Sequence, residues 1–189
     1  MKKIDYSKLS TGMLIGTTSY VRPFSYLTRF TLGMGQYRRL AKASLSMFDF
    51  SMPTHTMVVY RSGGLFYAME MTAPKIHIRD LNEFETVNPF KERIVWAGML
   101  PELANKEKDI VTFLEFSHEK SIKYGYGSLL EFWGIKEFDK ADKWICSALP
   151  REMMKSVHVG YPKEFDEKVS PLDWKNWKAM ETVDIWRKK

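Results

Sequence analysis

Three residues have side chains suited to a thiol mechanism: Cys146, the only cysteine; His55, which opens the run Thr54-His55-Thr56-Met57-Val58-Val59-Tyr60; and Glu70, near the end of Leu65-Phe66-Tyr67-Ala68-Met69-Glu70-Met71. A thiol, an imidazole and a carboxylate suffice for a nucleophile, its base and the group that orients the base. Their chain order is histidine, acid, cysteine.

Geometry on paper brings two of them together. The apolar runs on either side of Arg61-Ser62-Gly63-Gly64 read as a β-hairpin. With Ser62-Gly63 as the turn, His55 lies directly opposite Glu70, and Cβ atoms in such a pair stand about 4.5–5.5 Å apart. With Gly63-Gly64 as the turn, the two become diagonal neighbours on one face. Only an odd loop length separates them onto opposite faces. A strand histidine near a turn and a solvated strand end account for the same residues without chemistry.

Cys146 follows Asp142-Lys143-Trp144-Ile145, and Asp139 or Asp142 is suited to cap a helix whose first turn holds it. A thiol at a helix N-terminus is acidified by unpaired N–H groups and the dipole. The apolar neighbours Trp144, Ile145, Ala148 and Leu149 equally suit an inert, buried cysteine. Pro150 would kink a helix begun at or before Cys146.

The elements that must position these groups follow from periodicity. Met13–Thr18 reads as a strand, Phe24–Leu32 as a short helix after Pro23, and residues 33–53 as a partly helical excursion carrying Arg38, Arg39 and Lys42. Lys75–Arg79 and Arg93–Gly98 would extend an antiparallel sheet around the hairpin. Lys106–Lys120 shows Ile110, Phe113, Leu114 and Ser117 at helical spacing, and Ser128–Trp133 suggests a second helix. From Val159 onward, Pro162, Pro171 and three tryptophans suggest a wrapping tail. The expectation is one domain over 1–189, with 156–189 as that tail.

The order of short motifs resembles the circularly permuted NlpC-type papain-like cysteine peptidases and amidases. The likeness is carried by Met13-Leu14-Ile15-Gly16 through Phe24–Thr31, then Pro53-Thr54-His55-Thr56-Met57-Val58-Val59, Tyr67-Ala68-Met69-Glu70-Met71, the turn Lys123-Tyr124-Gly125-Tyr126-Gly127, and Trp144-Ile145-Cys146-Ser147. It spans residues 13–155. It implies an α+β, papain-like fold, an antiparallel sheet or half-barrel packed against helices. In that fold Cys146 attacks an amide or ester carbonyl, His55 shuttles the proton, Glu70 orients His55, and the Cys146 backbone N–H helps hold the oxyanion. The chain departs from the family in Ala148-Leu149-Pro150 after Cys-Ser, and in a longer 33–52 connection. Around the thiol, Arg22, Tyr26, Tyr126 and Ser147 are candidate substrate contacts.

The activity expected is that of a cysteine hydrolase on amide bonds, with a peptide, peptidoglycan fragment or acyl-amide as substrate. An acyltransferase would use the same residues, and a catalytically retired binding or structural module, viral in one reading, is the alternative from another class. Composition narrows the field. The 189 residues are 44% hydrophobic and 14% aromatic, which is globular usage, with no apolar run of membrane-spanning length. The single cysteine forms no intrachain disulfide, and no signal-type apolar stretch follows Met1-Lys2-Lys3, so a cytoplasmic setting is the default, with a cell-envelope or viral one as the variant. The net charge of +6 is dispersed among acids, favouring weak contact with anionic surfaces over specific nucleic-acid binding. There is no phosphate loop or dinucleotide fingerprint, and His77, His118 and His158 lack ligand spacing, so neither cofactor nor metal is expected.

Overall fold

The Gly63-Gly64 pair sets the geometry of the centre. Both glycines have positive φ, +58° and +82°, as the two-residue turn matching strand twist demands. In the computed structural model, which describes residues 3–18, 53–86, 92–125, 143–166 and 169–187, this turn joins β2 (His55–Ser62) to β3 (Leu65–Met71), with Ser62 facing Leu65 and Met57 facing Glu70. Of the two registers the sequence allows, this is the diagonal one.

Before the hairpin comes β1 (Leu14–Thr18). After it come β4 (Ile76–Asp80), a single turn α1 (Glu83–Thr86) and β5 (Arg93–Met99). Helix α2 (Glu107–Glu119) is followed by a two-stranded parallel ladder of β6 (Lys123–Tyr124) and β7 (Lys143–Trp144), then α3 (Ala148–Ser156), α4 (Pro171–Asn176) and β8 (Glu181–Thr182). The fold is α+β: a six-stranded antiparallel sheet in the order β4-β3-β2-β1-β5-β8, with few helices. The expected helices at Phe24–Leu32 and Ser128–Trp133, and the 33–52 connection, lie outside the described residues.

Both faces of the sheet are covered, which is why β1 and the middle of β2 are buried at every position rather than at alternate ones. Leu14, Val58, Tyr60, Met69, Met71 and Trp96 pack on one side against Ile110 and Leu114 of α2, Leu149, Met153 and Met154 of α3, and Phe165 and Trp174. Ile15, Met57, Val59, Ala68 and Ile94 on the other meet Ile4, Leu9, Leu81 and Ile185. The C-terminal segment therefore serves both layers. Its end returns to the sheet through β8, beside β5, and then pairs with the N-terminal segment through an isolated bridge between Ile4 and Trp186. Among the described residues no helix is long and apolar enough to cross a membrane.

Where β8 docks, Gly98 faces Thr182, and a methyl there would fall 2.8 Å from Met180 Cγ and into the Trp96 ring. Trp96 is 5% exposed and its Nε1 donates to Thr182 Oγ1 at 3.4 Å, so moving the ring aside would cost packing and that bond. Gly98→Ala is expected to cost about 1–3 kcal/mol, seen as a lower urea midpoint at unchanged slope; a midpoint equal to wild type would mean that β8 moves aside freely.

Candidate active site

His55 is the first residue of β2, and Glu70 lies near the end of β3, diagonally across one face. His55 Nε2 donates to Glu70 Oε2 at 2.8 Å. That bond leaves Nδ1 for the thiol. The pair is well shielded, with side chains 19% and 5% exposed.

Cys146 arrives from the helical layer. Trp144, two residues before it, is held through β6–β7 and by Gly125 N–H donating to its carbonyl at 2.9 Å, while its ring stacks on Phe113. β6 is in turn fastened to the β3–β4 connection, where Tyr124 N–H donates to Pro74 O and Ile76 N–H to Ile122 O, both at 2.9 Å. The chain then turns, Ala148 N–H donating to Ile145 O at 3.0 Å, and enters α3.

This differs from the helix start expected from Asp139 or Asp142, which lie outside the described residues. Cys146 is in the turn one residue before the N-cap, Ser147, and not in the first helical turn. Pro150 consequently falls at the third helical position, where an N–H would have no intrahelical acceptor, and the expected kink does not arise.

The thiol still meets N–H donors, from different sources. Backbone N–H groups of Thr56 and Ser147 both donate to Cys146 Sγ, and the His55 ring hydrogen-bonds it. The β2–β3 ladder closes at Met57 and Glu70, so just past its end the sulfur accepts the N–H of Thr56.

Electrostatics follow from the contacts. Burial alone would push the thiol up, but the charge and hydrogen bond of His55, with the two backbone donors, hold it below its ordinary value. For His55 burial opposes the imidazolium, yet Cys146 and then Glu70 hold it well above the usual histidine range. Glu70 is buried too, and its hydrogen bond to His55, the His55 charge, and then Arg79 and His77 keep it below the ordinary carboxylate value. Each of the three groups is thus shifted toward its charged form by its neighbour in the row.

Beyond Glu70 the alternation of charge continues. Arg79 NH1 stands 3.9 Å from Glu70 Oε2 and 2.7 Å from Glu92 Oε2, its Nε is 2.9 Å from Glu83 Oε2, and the guanidinium lies over the Phe84 ring. Thr17 Oγ1 donates to Glu92 Oε1 at 2.6 Å. Sequence reasoning placed Arg79 on a strand and gave it no role. The available signal was pairing: Glu70 faces His77 across β3–β4, which puts Arg79 diagonal to Glu70 on the same face.

Of the candidate substrate contacts, Arg22, Tyr26 and Tyr126 lie outside the described residues. Ser147 is fully buried, and its hydroxyl donates to Val169 O at 2.5 Å. Its side chain is thereby committed inside the protein, and its backbone N–H is the part that acts on the thiol. His77 is exposed on β4 and His118 lies near the end of α2. No group of three or more potential ligands among the described residues is placed to hold a metal ion.

No protein-family model matches the chain, and no curated protein matches it.

Two expectations follow. Because Glu70 is held below its unfolded value of about 4.3, its contribution to stability is present above that pH and is lost as pH falls through the folded value. Glu70→Gln should cost about 1–3 kcal/mol at pH 7 and progressively less in urea melts toward pH 3; a penalty independent of pH would deny the carboxylate its charge. Thr56 Oγ1 is buried with no hydrogen-bond partner, so Thr56→Val, which keeps the backbone N–H, should leave stability unchanged or raise it by about 1 kcal/mol and leave thiol alkylation rates as they are. A loss above that size would reveal a partner for the hydroxyl.

Proposed function

We propose that the protein is a cysteine-dependent hydrolase of amide bonds with a papain-like fold of the permuted NlpC type. The observation that carries the reading is the 2.8 Å hydrogen bond from His55 to Glu70 with the Cys146 thiol set against the same imidazole. Histidine and acid come from adjacent strands of an antiparallel sheet, and the thiol from a turn leading into a packed helix. The meeting of these three groups in space supports the family likeness, which rested on the order of short motifs along the chain.

The reaction follows from the protonation states. Thiolate Sγ attacks the carbonyl carbon, forming a C–S bond as the C=O electron pair moves to oxygen. The Cys146 backbone N–H is the donor that the family likeness assigns to that oxyanion. The imidazolium then gives its proton to the leaving nitrogen as the C–N bond breaks, and a thioester remains. Neutral His55 next takes a proton from water, whose oxygen attacks the thioester; the acid product leaves and the thiolate returns. Glu70 keeps the ring oriented and favours its charged form throughout. An amine or alcohol in place of water gives acyl transfer from the same thioester. Cell-wall peptides and acylated amines are the substrate classes that the family likeness favours.

A binding or structural module has no need of a histidine and two backbone donors that favour the thiolate of a buried cysteine, since an apolar burial would leave it protonated and inert. The test is the rate of Cys146 alkylation by iodoacetamide against pH. Wild type should reach its plateau well below the free-thiol value of about 8.5, and His55→Ala should move the rise back to that value or above. An ordinary titration in both proteins would overturn the hydrolase reading in favour of the binding module.

A further inference from the structure

The turn carrying Cys146 is fastened from behind by a segment far along the chain. Ser147 Oγ donates to Val169 O at 2.5 Å, and Trp174 Nε1 donates to Ser147 O at 3.0 Å. Both bonds are buried, and Ser147 and Trp174 are each 0% exposed. Ser147 is thus gripped at its side chain and at its carbonyl, while its N–H is one of the two backbone donors that act on Sγ.

The gripping segment is itself well braced. Ser170 caps α4 through a reciprocal capping box with Asp173, with Pro171 at the first helical position. The Trp174 ring meets Phe165 and Trp177 edge-on, at 4.8 and 6.0 Å between centroids. Ser147 occupies the N-cap of α3 yet makes no side-chain cap bond to that helix. Its hydroxyl is given to Val169 instead, at the expense of the usual use of a serine there.

We propose that the segment Val169–Trp174 belongs to the nucleophile's machinery as a latch, with Trp174 and the Ser147 hydroxyl as positioning residues that aim the Ser147 N–H at Cys146 Sγ. The proposal rests on the reading of Cys146 as the nucleophile. The latch touches neither substrate nor sulfur and acts through the orientation of one peptide unit. Displacing a donor by an ångström is enough to lose most of its effect on a buried anion.

The test uses the full chain and iodoacetamide alkylation against pH in wild type, Ser147→Ala, Trp174→Phe, the double variant, and Trp177→Phe. Trp174→Phe deletes the N–H and keeps an aromatic ring; Trp177→Phe perturbs the same cluster without touching the turn. Among the described residues, His55 against the thiol, and Glu70 with Arg79 and His77 beside it, remain in every variant. Each latch variant should shift the rise of the profile upward by about one pH unit, roughly tenfold in rate on the limb. The double variant should shift less than the sum of the two, because both bonds hold one residue, and Trp177→Phe should match wild type. An early rise in wild type that is unmoved in Ser147→Ala and Trp174→Phe overturns the latch alone, as does an equal shift in Trp177→Phe. If Trp174→Phe does not fold, Ser147→Ala, which removes one oxygen, decides. An ordinary profile in wild type instead removes the nucleophile reading on which the latch depends.

Discussion

A thiol enclosed by protein ionises only if something nearby compensates for lost water, and here the compensation is a row of alternating charges. Cys146, His55, Glu70, Arg79 and Glu92 run in sequence from the helical layer across the strand ends, and Thr17 closes the row on Glu92. No member is comfortable by itself: burial opposes the charged form of the thiol, the imidazole, the carboxylate and the guanidinium alike. Each is shifted toward its charged form by its neighbours, so the row behaves as a unit in which removal of one partner leaves another buried and unpaired. That dependence explains why four strands of the sheet contribute to a site whose reacting atoms would occupy only a few ångströms.

The row in turn constrains the fold. His55 and Glu70 approach each other because the Gly63-Gly64 turn holds the β2–β3 register, and a slip of one residue would put Glu70 on the far face. The sulfur comes from the other layer and depends on α3 packing against the sheet through Leu149, Met153 and Met154. Two separate fastenings limit its freedom, the β6–β7 ladder before the turn and the Val169–Trp174 segment behind it. Precision at the thiol is therefore a tertiary property, shared between pieces that are distant in sequence.

That division accounts for what can be read from sequence. β1 to β5 and α2 follow from apolar periodicity, and the expected Lys106–Lys120 helix and observed Glu107–Glu119 differ by a residue at either end, whereas the two-residue strands β6, β7 and β8 are too short to show a period. The proximity of His55 and Glu70 was legible because a hairpin is local, although Ser62-Gly63-Gly64 left two registers open. The position of Cys146 was less so, since a helix start reads as a capping signal and Ser147 spends its hydroxyl elsewhere. Arg79 needed the β3–β4 register in addition to the hairpin. The grip of Trp174 on Ser147 spans 27 residues and joins an indole N–H to a backbone carbonyl, so no spacing rule or residue-type pattern announces it.

The use of the backbone at the thiol follows from this arrangement. Side-chain donors would each have to be immobilised at a cost in rotamer entropy, whereas Thr56 N–H is already fixed by the strand and Ser147 N–H by the turn. The sheet ends its β2–β3 ladder at Met57 and Glu70, and the Thr56 N–H just beyond that end donates to sulfur. The Glu70 carboxylate comes from the final pair of the same ladder. One strand end thus supplies the imidazole, a donor to the anion, and, through its partner strand, the group that orients the imidazole. Only the sulfur and the Ser147 donor must be brought in, and they come on a single turn. With His55, Glu70 and Thr56 on one rigid hairpin, the geometry of the row reduces to how one turn is seated against it.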